Sequence, residues 1–79
     1  MQHMRVLIID FRLFNGIGFR YATQYYVDGR RVSRNRYYQM STFIYDNFTH
    51  ESTKLWSDMN KNGVHRAYTE ILYVRRKGK

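Results

Sequence analysis

Residues 26–34 read YVDGRRVSR and place a tight turn directly before a helix start. Asp28-Gly29 is a strong signal for a two-residue β-hairpin turn, because both positions tolerate a positive φ. This turn sets a strand register whose facing pairs are Val27 with Arg30 and Tyr25 with Val32. Ser33 then has the side chain of a helix N-cap, which can satisfy free amides of the first helical turn. The stretch therefore predicts a hairpin that leads into a helix.

The segment after Ser33 can be assigned in two ways. A helix over residues 34–46 would align an apolar stripe at spacings of three and four, made by Tyr37, Met40, Ile44 and Phe48. The competing interpretation extends the strand through Tyr45, helped by the β-branched and aromatic content of residues 42–45. We favour the helix because of the cap and the stripe, although periodicity alone does not separate the two in a short apolar run.

Two strands are predicted before the hairpin. Residues 5–14 alternate, with one face made by Leu7, Ile9, Phe11 and Leu13 and the other by Val6, Ile8, Asp10 and Arg12. The second face begins apolar and turns polar, so we expect one end of this strand to be covered on both sides. A turn over residues 15–18 (Asn-Gly-Ile-Gly) then leads to a second alternating strand over residues 19–27.

The C-terminal half is predicted to contain a second short helix and a closing strand. A helix over residues 51–61 would bury Leu55, Trp56 and Met59, with Trp56 as the core anchor. The Asn62-Gly63 pair would then supply the helix C-cap, or a hairpin turn if the segment is a strand. Residues 64–74 alternate as a final strand.

These elements indicate an α+β fold. We expect one domain over residues 1–79, with an N-terminal antiparallel β-hairpin or meander, one or two short helices and a C-terminal strand. Residues 1–4 are expected to be disordered or a leader added ahead of a start at Met4, and residues 75–79 a flexible basic tail. A chain of this length buries only a small core, and without cysteine it has no disulfide and no thiolate metal site. These limits favour a homo-oligomer or a tightly held partner.

The sequence gives no sign of a membrane partner. Its longest apolar stretch, residues 6–9, is far too short to cross a bilayer, and no signal peptide precedes that stretch. We therefore expect a cytoplasmic protein.

Positive charge is concentrated between residues 20 and 38. The chain has a net charge of +8 and a pI near 10.1, and ten of its fourteen basic residues are arginines. Five arginines and five tyrosines surround a single acid, Asp28, in this segment. Arginine offers a planar fork for phosphate or carboxylate, and tyrosine offers a ring on which a base can stack. The leading hypothesis is therefore binding of nucleic acid, either DNA or RNA, without a cofactor.

The candidate residues for binding nucleic acid or another acidic partner lie in this segment and in the basic tail. They are Arg20, Tyr26, Arg30, Arg31, Arg34, Arg36, Tyr37, Tyr38, Arg75, Arg76 and Lys77. Arg34 and Arg36 would lie in the first helical turn, where unpaired backbone amides also attract anions. Cations there oppose the helix dipole, so their presence favours a role in anion binding. The alternative is a solvated hairpin whose tyrosines pack across strands.

Catalysis has few candidate residues. The side chains suited to general acid–base chemistry are His50, Glu51, His65 and Glu70. A small metal-independent ribonuclease needs little more than such a set, but no spacing places these residues together. His50-Glu51 also lacks the second histidine of a zinc-binding helix, so no metal site is expected. A ribonuclease is thus a third hypothesis, behind two binding functions.

Residues 26–34, followed by Tyr37 and Tyr38, resemble the hairpin-then-capped-helix segment of many small open reading frames of bacteriophages and mobile elements. Members of that group bind nucleic acid or antagonise host proteins, and anti-CRISPR proteins are among them. The resemblance implies the second hypothesis, a phage-encoded inhibitor in the cytoplasm of a bacterial host. Its basic face would dock on an acidic host protein or on a ribonucleoprotein.

Overall fold

The computed structural model describes residues 2–14 and 16–76, which form five strands and one helix. The elements are β1 (His3–Phe14), β2 (Phe19–Val27), β3 (Arg30–Val32), α1 (Arg34–Asn47), β4 (Phe48–Met59) and β5 (Val64–Arg75). All strand pairings are antiparallel, in the spatial order β3-β2-β1-β5-β4. The predicted class is confirmed as a small antiparallel sheet with a helix, although the details differ. The predictions for Met1, Asn15 and residues 77–79 lie outside the described residues.

The hairpin between β2 and β3 forms at Asp28-Gly29 as predicted. Both residues have a positive φ, 51° and 83°, which is the signature of a type I′ turn. The predicted register is confirmed by the facing pairs Val27 with Arg30 and Tyr25 with Val32. The Asp28 carboxylate accepts a hydrogen bond from the Arg5 amide at 2.9 Å, which ties the turn to β1.

The helix α1 begins at the predicted N-cap. Ser33 has an extended backbone, and its hydroxyl accepts a hydrogen bond from the Arg36 amide at 3.1 Å. The helix ends where the Phe48 amide donates to the Ile44 carbonyl and the backbone becomes extended. The helix predicted over residues 34–46 is therefore confirmed. The alternative of a strand through Tyr45 is wrong, because the cap and the buried stripe outweigh the β propensity of that run.

The second predicted helix, over residues 51–61, does not form, because this segment belongs to β4 and pairs with β5. The Asn62-Gly63 pair is accordingly part of a hairpin turn and not a helix C-cap. Gly63 has a φ of 76°. The Asn60 side chain accepts hydrogen bonds from the amides of Asn62 at 2.9 Å and Val64 at 3.0 Å, which closes the turn.

The apolar residues of β4 divide between the two faces of the sheet. Leu55 and Met59 lie on the same face as α1, whereas Trp56 lies on the opposite face and stacks on Tyr68 of β5. The prediction that Trp56 anchors the core is therefore wrong. A short isolated helix is only marginally stable, while a strand of this length satisfies its backbone along the whole of β5.

The hydrophobic core lies between α1 and one end of the sheet. Four of the described residues are buried in it, Val6, Val27, Ile44 and Phe48. We call the side of the sheet that carries α1 the helix face, and the other side the open face. The core gathers around the apolar end of β1, near Val6 and Ile8. Among the described residues only the helix face of this end is covered by another element, so the prediction that it is covered on both sides is wrong. The molecule measures 55 × 23 × 17 Å, so the sheet extends well beyond the helix.

Both ends of the described chain belong to the sheet. β1 begins at His3 and Met4 packs against the core, so the disorder expected for residues 1–4 is not found at these two positions. Arg75 is the last residue of β5, and the Arg76 amide donates to the Asn47 carbonyl at 2.9 Å. The flexible tail predicted from residue 75 is therefore wrong for Arg75 and Arg76. Pairing of β1 with β5 along their length accounts for both corrections.

Candidate nucleic-acid interface

Three tyrosines pack together where β2 meets the start of α1. The rings of Tyr25 and Tyr37 are stacked, with centroids 4.5 Å apart and planes 18° from parallel. Tyr38 approaches these two rings at 6.3 and 6.0 Å in edge-on and tilted geometry. We call these three residues the tyrosine cluster. Its position follows from the hairpin register, because Tyr25 faces Val32 and so lies beside the first turn of the helix.

Arg34 joins the tyrosine cluster to the helix start. Its Nε donates a hydrogen bond to the Tyr38 hydroxyl at 3.3 Å, and its guanidinium carbon lies 5.6 Å from the Tyr38 ring centroid. This hydrogen bond is the main cause of a lowered pKa of Tyr38, since it stabilises the phenolate. Burial raises the pKa of Tyr37. Tyr38 is therefore the more acidic phenol and the better hydrogen-bond donor to an anion.

An open depression of about 380 Å³ lies beside the tyrosine cluster. β3 ends at Val32, so among the described residues the edge of β2 before Tyr25 has no neighbouring strand on this side. The depression is lined by residues of β2, β3 and the helix start, namely Thr23, Gln24, Tyr25, Arg31, Val32, Ser33 and Arg34. Two arginines, a helix N-cap and a free strand edge thus meet at one cavity.

The arginines around the depression have no carboxylate partner in the described part of the chain. We define the basic corner as four exposed residues, Arg30, Arg31, Arg34 and Arg36. Within residues 2–14 and 16–76, the close contacts between basic and acidic side chains join His3 to Glu51, Arg5 to Glu70 and Arg66 to Asp58. Asp28, the acid nearest in sequence, accepts its hydrogen bond from the backbone of β1. The charge of the basic corner is therefore available to a ligand.

Three predicted site residues lie on the open face, namely Arg20, Tyr26 and Arg31, since Arg31 is directly opposite Tyr26 in the hairpin. Arg20 and Tyr26 share this face, as their parity in β2 predicts, but they are six positions apart along that strand, which is about 20 Å. Arg20 faces Leu13 near the far end of the sheet and does not belong to the basic corner. Tyr26 faces Arg31 across the hairpin and donates its hydroxyl to Gln24 at 3.0 Å. Tyr26 therefore borders the basic corner from the open face.

Tyr25 is a member of the tyrosine cluster that the sequence did not identify as a site residue. Its parity in β2 groups it with Val27 on the packed face, where an aromatic side chain ordinarily belongs to the core. The signal was nevertheless present in the predicted register, which places Tyr25 opposite Val32 and next to a helix that begins at Arg34. A tyrosine at that junction lies at the rim of the core and not inside it.

The basic residues at the end of β5 contact other parts of the chain. Arg75 donates to the Gln2 side chain at 3.1 Å, and its guanidinium carbon lies 6.0 Å from the centroid of the Phe48 ring. The Nε of Arg76 donates to the Phe48 carbonyl at 3.3 Å. These contacts stabilise the junction of β1, β4 and β5, so Arg75 and Arg76 are not part of the basic corner. Lys77, the other predicted contact in the tail, lies outside the described residues.

The candidate catalytic residues are dispersed over the sheet. His50 and Glu51 lie near the start of β4, whereas His65 lies at the opposite end of the β4–β5 hairpin. Glu70 lies on the open face, 3.7 Å from Arg5. Within the described residues, no group of three or more histidine or acidic side chains is arranged to hold a metal ion. The geometry therefore gives no shared site on which to base a ribonuclease.

Comparison of the chain with protein-family models, with curated proteins and with solved structures finds no match. The resemblance to proteins of phages and mobile elements thus stays a prediction. Among the helices of the described residues, none is long and apolar enough to cross a membrane. The candidate interface accordingly rests on the geometry of the basic corner and the tyrosine cluster.

Proposed function

We propose that this protein binds nucleic acid, with the basic corner and the tyrosine cluster as its contact surface. The observation that carries the proposal is one depression where arginines without a carboxylate partner among the described residues meet Tyr25, whose ring stacks on Tyr37. Guanidinium groups bind phosphate oxygens in forked geometry, and aromatic rings stack on bases. The net charge of +8 would attract a polyanion from a distance.

The shape of this surface favours a single strand over a duplex. Tyr38 is 51 % exposed, and a base can stack on its ring only when that base is not enclosed in a helix. A phosphate in the depression would be within reach of Arg31 and Arg34, which line the same cavity. The capped helix start adds backbone amides that favour an anion at this place.

Binding of the purified protein to labelled single-stranded DNA and RNA tests the proposal. If three arginines of the basic corner contact phosphates, the plot of log Kd against log salt should have a slope of about 2, at about 0.7 per contact. A fourfold rise in salt should then weaken binding about twentyfold. We expect a duplex of the same sequence to bind more weakly. Failure to bind, or binding that salt does not weaken, would contradict phosphate recognition.

A protein partner is the alternative outcome of the same experiment. Arginine forks bind carboxylates as well as phosphates, and the resemblance to phage-encoded inhibitors implies a host protein or ribonucleoprotein as the partner. The isolated protein would then bind no nucleic acid. A pull-down would instead yield one partner, and substitutions in the basic corner would release it.

Arg36→Glu is expected to stabilise the fold while it weakens nucleic-acid binding. Arg36 lies three residues after the N-cap, where glutamate would complete a capping box with Ser33. Its negative charge would also interact favourably with the positive end of the helix dipole. We expect the free energy of unfolding, measured by urea denaturation, to rise by about 1 kcal/mol. We expect Kd for a single strand to rise about tenfold, because a phosphate contact becomes a repulsion.

Arg36→Gln is the control for this substitution, since it removes the positive charge without adding a negative one. Both of its effects should be smaller and in the same directions. If Arg36→Glu lowers stability and binding together, Arg36 has a structural role and the assignment to the binding surface is wrong.

A further inference from the structure

The outer edge of β4 is the longest free strand edge in the described structure. β4 has 12 residues, lies at the end of the sheet and is exposed at every residue after Phe48. Large exposed apolar side chains are frequent on it, with Leu55 at 72 %, Met59 at 67 % and Trp56 at 39 %. Edge strands in natural proteins are ordinarily short, or are protected by charge, proline or bulges. β4 does carry an irregularity, between His50 and Ser52 at one end of the strand, whereas residues 53–59 pair with β5 in unbroken register. The outer edge of this regular, apolar stretch is therefore suited to pairing with another strand.

The charges on β4 indicate which kind of strand would pair with its free edge. Lys54, Trp56 and Asp58 share the open face, because they lie opposite three residues of β5, Glu70, Tyr68 and Arg66. Lys54 and Asp58 carry opposite charges and are equally spaced on either side of Trp56. A two-fold axis at Trp56 would place Lys54 of each copy directly opposite the partner's Asp58. Asp58 also accepts hydrogen bonds within its own chain, from Arg66 Nε at 3.1 Å and from the Tyr68 hydroxyl at 3.2 Å, so the partner's Lys54 would be a second cation at this carboxylate. With that addition, β4 is complementary to itself in an antiparallel pair.

The aromatic stacking at Trp56 fits the same register. Its indole is nearly parallel to the Tyr68 ring, with planes 3° apart and centroids at 5.0 Å, close to the spacing of neighbouring strands. The second face of the indole therefore points past the edge of the sheet, and Lys54 Nζ lies 5.2 Å from the ring centroid. An identical strand at this edge would continue the stack with its own indole, while Lys54 moves to the partner's Asp58.

Neighbouring symmetric registers lose this complementarity. An axis at Leu55 would place Lys54 opposite the partner's Trp56. An axis at Ser57 would place Asp58 opposite the partner's Trp56. Neither brings unlike charges face to face, so the charges of β4 favour the axis at Trp56.

We propose that two copies of this protein associate through β4, antiparallel about Trp56, and join their five-stranded sheets into one continuous sheet. Both helices then lie on the same side of that sheet. The two basic corners lie at its outer edges, roughly 45 Å apart, because β3 and β4 are at opposite ends of the strand order. This association does not depend on the proposed nucleic-acid binding.

Substitutions that reverse single charges on β4 test the association. The dimer Kd of each variant is measured by sedimentation velocity over a series of protein concentrations. The unaltered protein should show a monomer–dimer equilibrium. Lys54→Asp puts two carboxylates opposite each other at both symmetric positions, so we expect the dimer Kd to rise at least about tenfold. Arg36→Glu makes the same change in net charge at the start of α1 and should leave the dimer Kd unchanged. A mixture of Lys54→Asp with Asp58→Lys should restore dimers, because unlike charges then face each other at both positions.

Cysteine pairs report the register independently of charge, since the chain has no cysteine of its own. Leu55 and Ser57 are directly opposite each other across the proposed axis, within range of a disulfide between their replacements. An oxidised mixture of Leu55→Cys with Ser57→Cys should form crosslinked heterodimers, and either variant alone should crosslink much less. A monomer at every concentration, a dimer that tolerates Lys54→Asp, or equal crosslinking of the single variants would overturn the proposal.

Discussion

Phe48→Ala is expected to lower the free energy of unfolding by about 3–4 kcal/mol. Phe48 is 6 % exposed, connects α1 to β4 and is one of the four core residues that are buried among residues 2–14 and 16–76. Its ring also lies 6.2 Å from that of Phe43 and beneath the Arg75 guanidinium. So small a core has few neighbouring side chains that can fill the cavity left by the ring. The loss would be a large part of the total stability of a domain of this size.

Urea denaturation followed by the fluorescence of Trp56, the single tryptophan, measures this loss. The matched control is Phe14→Ala, which removes the same side chain where it is 57 % exposed, and should cost about 1 kcal/mol or less. Both variants are compared at one protein concentration, because association contributes to apparent stability. Equal losses in the two variants would mean that the core does not lie beneath the helix.

Arg31→Gln/Arg34→Gln is expected to weaken single-strand binding at least about tenfold and to lower the salt slope by about 1.4, which corresponds to two phosphate contacts. Both arginines line the depression beside the tyrosine cluster. Neither has a carboxylate partner within residues 2–14 and 16–76, so no buried or paired acid is left uncompensated. The free energy of unfolding should therefore stay within about 0.5 kcal/mol of the unaltered protein.

Arg20→Gln/Lys61→Gln is the matched control, because it removes the same charge at the other end of the sheet. Arg20 faces Leu13, and Lys61 lies in the turn between β4 and β5. We expect less than about a threefold rise in Kd, from weaker long-range attraction alone. If the two double variants bind equally weakly, binding follows net charge and the basic corner is not a specific contact surface.

The junction from hairpin to helix could be predicted because its signals act over a few residues. A type I′ turn needs a positive φ at two adjacent positions, and Asp28-Gly29 supplies both. The Ser33 hydroxyl accepts a hydrogen bond from the amide three residues later, so the cap can be predicted from these few residues alone. The register of β3 against β2 follows from the turn, and with it the position of the basic corner.

β4 could not be predicted in the same way. Leu55, Trp56 and Met59 have the spacing of a short helical face, and this local pattern favours a helix. The strand forms because β5 lies beside it through the turn at Asn60 and Gly63, which pairs the backbone of both segments. Whether residues 51–61 form a marginal helix or a long strand is decided only when β5 is present to pair with them.

The tyrosine cluster, too, could be predicted only in part from the sequence. The sequence places Tyr37 and Tyr38 on the helix and the basic corner next to them, and the structure agrees. Tyr25 joins them only because the hairpin brings β2 against the first turn of α1. Arg20 and Tyr26 share a strand face, yet distance along β2 keeps Arg20 away from the site.

The amino-acid sequence alone therefore determines the local features of this protein: the turn at Asp28-Gly29, the helix cap at Ser33 and the positive charge that follows them. The tertiary structure decides which segments become neighbours, and through this the strand identity of residues 48–59, the stacking of Tyr25 on Tyr37 and the free edge at Trp56. The physical reason is the range of the interactions. A turn and a cap satisfy their hydrogen bonds within a few residues, whereas a strand satisfies its own with residues that are distant in the chain.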